Sequence, residues 1–201
     1  MADHVILDDL HPFSRKSRVH RAKIRTPDGY HWLTIPVLTE DRRKPINQVR
    51  IDHTRPWVKN HLRALEYNYR NSLYFDFYEP EIKDDFRTAA EYSYLTDVIN
   101  HLFQRQCVYF EIELYAKKAS EFYNDQDEMY QNLTKSKSFV WQEQDSKNYQ
   151  RPHWSVATFR KPDVTYRQHY PGFVEGCSML DLLFEYGPDS WQILDRFTEG
   201  R

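Results

Sequence analysis

The residues with the most chemistry to offer crowd into one stretch near the start of the chain, Leu7 to Val37. Asp8 and Asp9 open it, just after the short apolar run from Val5 to Leu7. Between Arg15 and Arg25 stand seven cationic or titratable side chains: Arg15, Lys16, Arg18, His20, Arg21, Lys23 and Arg25. Two carboxylates sharing a cleft repel each other, which raises one pKa and supplies a general acid or base near neutrality. Arginines grip phosphate as bidentate forks and lysines as point charges. The combination suits an anionic ligand, with Asp8 and Asp9 as candidate catalytic groups and Arg15, Lys16, Arg21 and Lys23 as candidate substrate-binding groups. His61, further along the chain, is a third candidate for acid–base work.

Other chemistries have less support. Asp8, Asp9 and a histidine could ligate a metal, but no paired-ligand spacing accompanies them, so no metal is expected. There is no Gly-x-Gly-x-x-Gly, no Walker loop, no His-Glu-x-x-His and no Gly-x-Ser-x-Gly. Five glycines in 201 residues leave little for a loop of backbone amides around phosphate. No cofactor is expected, and any phosphate falls to side chains.

The elements around these residues follow from turn chemistry and periodicity. Pro27-Asp28-Gly29 is a turn: Pro fixes φ, Asp bonds its local backbone and Gly tolerates positive φ. It joins two expected antiparallel strands, Arg18–Arg25 and Trp32–Val37. Alternation puts Arg21, Lys23 and Arg25 on one face of the first strand, and His20, Ala22 and Ile24 on the other. Asn47–Asp52 alternates as a third strand, with Val49 and Ile51 on one face. A helix starts at Pro56, and Trp57, His61, Leu65 and Tyr69 recur four apart along it. On that aromatic stripe His61 is either a core histidine bonded to backbone or a site residue.

Beyond it, Asn71–Asp85 is acidic and aromatic and reads as irregular structure. Thr88–Gln106 reads as a helix, Cys107–Tyr115 as a strand, and Lys117–Leu133 as a helix of weak amphipathicity. Phe139-Val140-Trp141 forms a further short strand. A second cationic group, Arg160, Lys161 and Arg167, surrounds the last strand, Val164–His169. Ser178 caps a helix over Met179–Tyr186, with Asp181 at the third helical position as its capping-box partner. Gly187-Pro188 stops that helix, and Asp189–Phe197 forms a final short one. The expected class is α/β or α+β: a single mixed-sheet domain with flanking helices, spanning residues 1–201.

Composition bounds the rest. Hydrophobic residues are 40%, charged residues 29% and aromatic residues 16%, and the net charge is −2. Such a chain is no general binder of polyanions, so any nucleic-acid role has to come from local patches. No apolar run approaches the roughly 18–20 residues of a membrane span. Met-Ala-Asp-His opens the sequence without the features of a secretory signal. Cys107 and Cys177 lie far apart and read as free thiols, so a cytoplasmic protein with no membrane partner is expected.

The strings Asp8-Asp9, Arg21-x-Lys23-Ile24, Thr26-Pro27-Asp28-Gly29 and Trp32-Leu33-Thr34-Ile35-Pro36-Val37 together resemble the opening of the WbqC-like family. Ile51-Asp52, Trp57, His61, Tyr67-x-Tyr69 and Tyr74-Phe75 follow in the same order. Tyr170-Pro171-Gly172-Phe173 then precedes a closing Ser178-Met179-Leu180-Asp181-Leu182-Leu183-Phe184. The matched positions add Trp57 and Tyr170 to the substrate-binding candidates. The resemblance implies an accessory enzyme of surface-polysaccharide or amino-sugar pathways. The leading expectation is transfer of an acyl or aminoacyl group to an amino sugar or similar acceptor, from a phosphate-bearing small molecule. One alternative is transfer of an amino acid or amine to a phosphorylated base in DNA, with nucleic acid as the partner. Another is a non-catalytic protein that binds an anionic ligand in the same pocket. Oligomeric state stays open.

Overall fold

The computed structural model describes residues 5–133 and 164–199. The class is mixed α/β, with helices carrying most of the regular structure. The strands fall into two small sheets. β1 (Val5–Leu7) pairs in parallel with β4 (Ala116–Lys118), and β2 (Arg21–Thr26) pairs antiparallel with β3 (Gly29–Thr34). The expected Phe139-Val140-Trp141 strand, and Arg160 and Lys161, lie outside the described residues.

The β2–β3 hairpin turns at Pro27-Asp28, with Thr26 opposite Gly29 at φ 134, a backbone state that suits glycine. Each strand is displaced toward the turn from its expected limits. Arg18 to His20 form turns, because Arg21 N–H bonds back to the Arg18 carbonyl. One further bond, from Ile35 N–H to the His20 carbonyl at 2.8 Å, extends the pairing. Pro36 then has no N–H to donate, and the ladder ends. The expected third strand is a short 3-10 turn, Ile46–Gln48, followed by isolated bridges from Arg50 to Tyr94 and from Ile51 to Val37. Val49 and Ile51 are buried, as their alternation requires.

Three helices follow. α1 (Trp57–Tyr69) buries Trp57, His61, Leu65 and Tyr69, the stripe read from its spacing. α2 (Phe75–Ala89) replaces the irregular segment expected there. Its acidic, aromatic composition hides a helical period: Phe75, Tyr78, Ile82, Phe86 and Ala89 are buried at steps of three and four. α3 (Leu95–Tyr109) runs through the first part of the expected Cys107–Tyr115 strand and ends before Glu111, which takes a φ of 53. Val108 and Tyr115, apolar members of that alternation, are exposed. Lys117–Leu133 is likewise divided among β4, a 3-10 turn and α4 (Gln126–Leu133).

The C-terminal part closes the core with α5 (Met179–Tyr186) and α6 (Ser190–Glu199). Ser178 caps α5 by accepting the Leu180 N–H. Gly187 ends it at a point where a Cβ would lie 2.6 Å from the Tyr74 ring. The main core joins Ile24, Leu65, Tyr69, Leu95, Val98, Leu183 and Phe184; Leu10, Ala119 and Met129 form a smaller cluster by β1.

Two expectations are corrected here. Val164–His169 is no strand. Its side chains still alternate, and they bond two α5 carboxylates one turn apart: Tyr166 and Gln168 bond Asp181, while Arg167 and His169 bond Glu185. Asp181 is therefore no capping-box partner. It is 0% exposed and also accepts the Tyr69 hydroxyl at 2.7 Å. Burial pushes its pKa up, and three neutral donors offset that only in part.

Candidate functional site

β3, the Ile35–Val37 segment after it and the first turn of α1 enclose a cleft of about 520 Å³. Among the described residues its wall carries four arginines, Arg15, Arg21, Arg42 and Arg55, three histidines, His20, His31 and His61, and no carboxylate. The two indoles, Trp32 and Trp57, supply flat apolar surface.

The hairpin register fixes the cationic side. Lys23 stands opposite Trp32, so both share a face with Arg21. The Arg21 guanidinium lies 4.4 Å from the Trp32 ring centroid, and the Lys23 ammonium lies 5.6 Å from it. Arg21 is aimed by bonds from Nε to the Ser17 carbonyl (3.2 Å) and from a terminal nitrogen to the Lys16 carbonyl (2.8 Å). These carbonyls orient the guanidinium without neutralising it.

Two buried polar atoms of the cleft wall have no partner: His20 Nδ1 and Arg42 Nε. His20 is only 7% exposed and packs edge-on against Phe13 at 4.9 Å. Burial, with the Arg21 and Arg42 charges behind it, lowers its pKa to about 4, so its ring is neutral at pH 7. A neutral imidazole accepts through one nitrogen and donates through the other. His61 is equally depressed, to about 4; burial is the main cause, and the Thr34 carbonyl and His31 act in opposite directions. Its Nε2 lies 3.1 Å from that carbonyl, and its ring packs against Trp57 and Phe86. His61 thus belongs to the core on one side and to the cleft on the other.

The other candidates are dispersed. Arg15 and Trp57 line the cleft with Arg21 and His61. Lys16 is exposed, its backbone engaged by Ser14 and Arg21. Lys23 reaches from the same hairpin face to the Glu175 carbonyl at 2.8 Å. Arg25, expected in the cationic row, is buried; it clamps the hairpin turn to the Pro171 loop by donating to the Gly29 and Pro171 carbonyls. Tyr170 donates to the Asn68 carbonyl and stays outside the cleft.

Asp8 and Asp9 also lie elsewhere. They do end a strand, but their partners are on the β4–α4 side. Asp9 accepts Ser120 N–H, Ser120 Oγ and Thr96 Oγ1, and Asp8 accepts Gln126 and Tyr130. The structure therefore brings Arg15, Arg21, Trp57 and His61 together and leaves both aspartates out of their cleft.

Sequence reading missed His20, His31, Arg42 and Arg55 as wall residues. His20 sits where strand alternation stops applying, and Arg42 and Arg55 lie in loops that carry no period. Among the described residues, no cluster of three His, Cys, Asp or Glu is placed to hold a metal ion. No helix among them is long and apolar enough to cross a membrane.

The family model for the WbqC-like proteins matches residues 1–193. The chain belongs to the WbqC-like protein family. A similar relative is the uncharacterized protein Rv1507c of Mycobacterium tuberculosis, 35% identical over 74 residues. That segment covers 36% of this chain and 31% of the relative, so the match spans about a third of the relative's length. No solved structure matches the chain.

Proposed function

We propose that this WbqC-like protein is a transferase that takes an acyl or aminoacyl group from a phosphate-bearing activated donor and passes it to an amine acceptor such as an amino sugar. One observation carries the reading: a cleft with four arginines, three histidines and no carboxylate among its described wall residues. Such a wall attracts a phosphate and repels no part of it. Arg21 and Arg42 hold the phosphate of the donor, and Trp32 or Trp57 offers a face to a flat substituent.

In the reaction the acceptor amine attacks the acyl carbon. A carbon–nitrogen bond forms and the carbon–oxygen bond to phosphate breaks. The amine proton passes to the neutral imidazole of His20 in the cleft wall, and the phosphate leaves with the bonding electron pair, its charge held by the arginines. A histidine depressed to about 4 is a weak base, yet it is unprotonated at neutral pH and ready to accept. We place the reaction in the cytoplasm, where Cys107 and Cys177 stay reduced.

The test is incubation with an aminoacyl adenylate and a nucleoside-diphosphate amino sugar, followed by mass spectrometry. The reading expects an amide product, one phosphate-bearing leaving group released per amide, and at least about a tenfold slower reaction in Arg21→Ala. Release of that leaving group at the uncatalysed rate across a panel of acyl donors would overturn it.

A further inference from the structure

The cleft does not stop at Arg55. Arg55 and Trp57 also wall a second groove of about 510 Å³, which runs beside α1 toward α2. Lys59 and Arg63 line this groove, and Glu66 is its single carboxylate among the described residues. Arg55 and Arg87 are paired there with Asp52 and Asp84. Lys59 and Arg63 are exposed and have no carboxylate partner among the described residues. Tyr67, 78% exposed, and the exposed Arg70 continue the line along α1. Side chains three and four apart share a helix face, so Lys59, Arg63, Tyr67 and Arg70 form one stripe, with the exposed Glu66 as its one acidic member. It extends about 16 Å at 1.5 Å per residue. A ligand small enough for the first cleft leaves most of this length unused, whereas a chain of regularly spaced phosphates uses all of it.

The geometry points to a single strand of nucleic acid held along α1 and entering the cleft at Arg55. Lys59, Arg63 and Arg70 neutralise successive phosphates, and a base stacks on Tyr67. A base further along is turned past Trp57 into the arginine-lined cleft; this last step rests on the cleft's being the reactive site proposed above. An open basic groove with an exposed aromatic ring is how sequence-tolerant single-strand binders work. Here it leads to an enclosed pocket where one base can be presented.

The experiment is fluorescence anisotropy with a labelled thymidine oligonucleotide of about 12 nucleotides, titrated at several salt concentrations. Three neutralised phosphates give a log–log salt slope of about −2, at about −0.7 per phosphate on a single strand. Lys59→Ala/Arg63→Ala, two changes on an exposed helix face, should weaken binding about tenfold or more and bring the slope to about −0.7. Tyr67→Ala should weaken it about fivefold or more and leave the slope unchanged, since stacking releases no ions. Absence of binding, or an unchanged affinity and slope in the double variant, overturns the proposal. Inorganic polyphosphate competing equally well in the wild type and in Tyr67→Ala also overturns it, because then no base is recognised. Pyrophosphate binding, followed in the same proteins, should be unaffected by the α1 changes. If the oligonucleotide binds as described but pyrophosphate does not bind the wild type, the cleft reading fails and the α1 track stands alone.

Discussion

Two buried polar regions of this protein are built on opposite terms. Around α5, Asp181 accepts from Tyr69, Tyr166 and Gln168, and Glu185 accepts from Arg167 and His169. Along β3, the His20 ring and the Arg42 guanidinium are each left with a buried nitrogen that nothing in the protein satisfies. An unpaired buried polar atom costs free energy, so most proteins pair nearly all of them. Where the pairing is complete, as at Asp181, the carboxyl group ties α5 to α1 and to the segment 164–169. Where it is incomplete and the wall has one sign, the site is suited to a partner from outside the chain, which is the anionic donor of the function proposed above.

The sharpest way to break this contrast is to empty the saturated side. Asp181→Ala removes the acceptor of three buried donors and should destabilise the protein by about 3 kcal/mol or more in urea unfolding. A near-neutral result would mean that water reaches Tyr69, Tyr166 and Gln168 and that the network is no fastening. Asp9→Ala strips Ser120 and Thr96 of their acceptor and should cost about 2 kcal/mol, with turnover per folded molecule retained. If stability holds and turnover collapses, Asp9 is the catalytic carboxylate that its pairing with Asp8 beside the cations suggested.

A smaller effect reads the histidines. In the folded state the pKa of His61 is lowered from 6.5 to about 4, while the unfolded chain takes up the proton near 6.5. Its stabilising contribution is therefore complete above pH 6.5 and is lost as the pH falls toward 4. The melting temperature should drop across that window, and His61→Gln should flatten the slope. A slope unchanged by the substitution would show that the ring is not held neutral by burial.

How far the sequence reached can be traced residue by residue. The hairpin, the α1 stripe and the α5 cap were legible because turn residues, a four-residue period and an N-cap serine act locally. α2 was not, since acidic side chains interrupt its buried row and Pro80 stands inside the helix. The Val164–His169 alternation was real, but it faces two carboxylates on a helix where a neighbouring strand was expected. Of the candidate site, the positions of Arg21, Trp57 and His61 were legible because the hairpin and α1 are regular, while Arg15 reaches the same cleft from a turn before β2. Asp8 and Asp9 were drawn into it by proximity in sequence, which says nothing about their partners more than a hundred residues away at Ser120 and Gln126. His20 and Arg42 acquire their meaning only from burial without a partner, a property of the folded molecule.

The most direct test of the central claim is calorimetric titration of pyrophosphate into the wild type and into Arg21→Ala/Arg42→Ala. The account predicts saturable binding to the wild type, weakened in the double variant by about 3 kcal/mol or more, the cost of removing two charge-assisted contacts. The melting temperature of the unliganded double variant should change little, because neither guanidinium is paired with a carboxylate among the described residues. Equal pyrophosphate affinity in the two proteins would contradict it: the arginines would then be a solvated surface and the cleft no anion site.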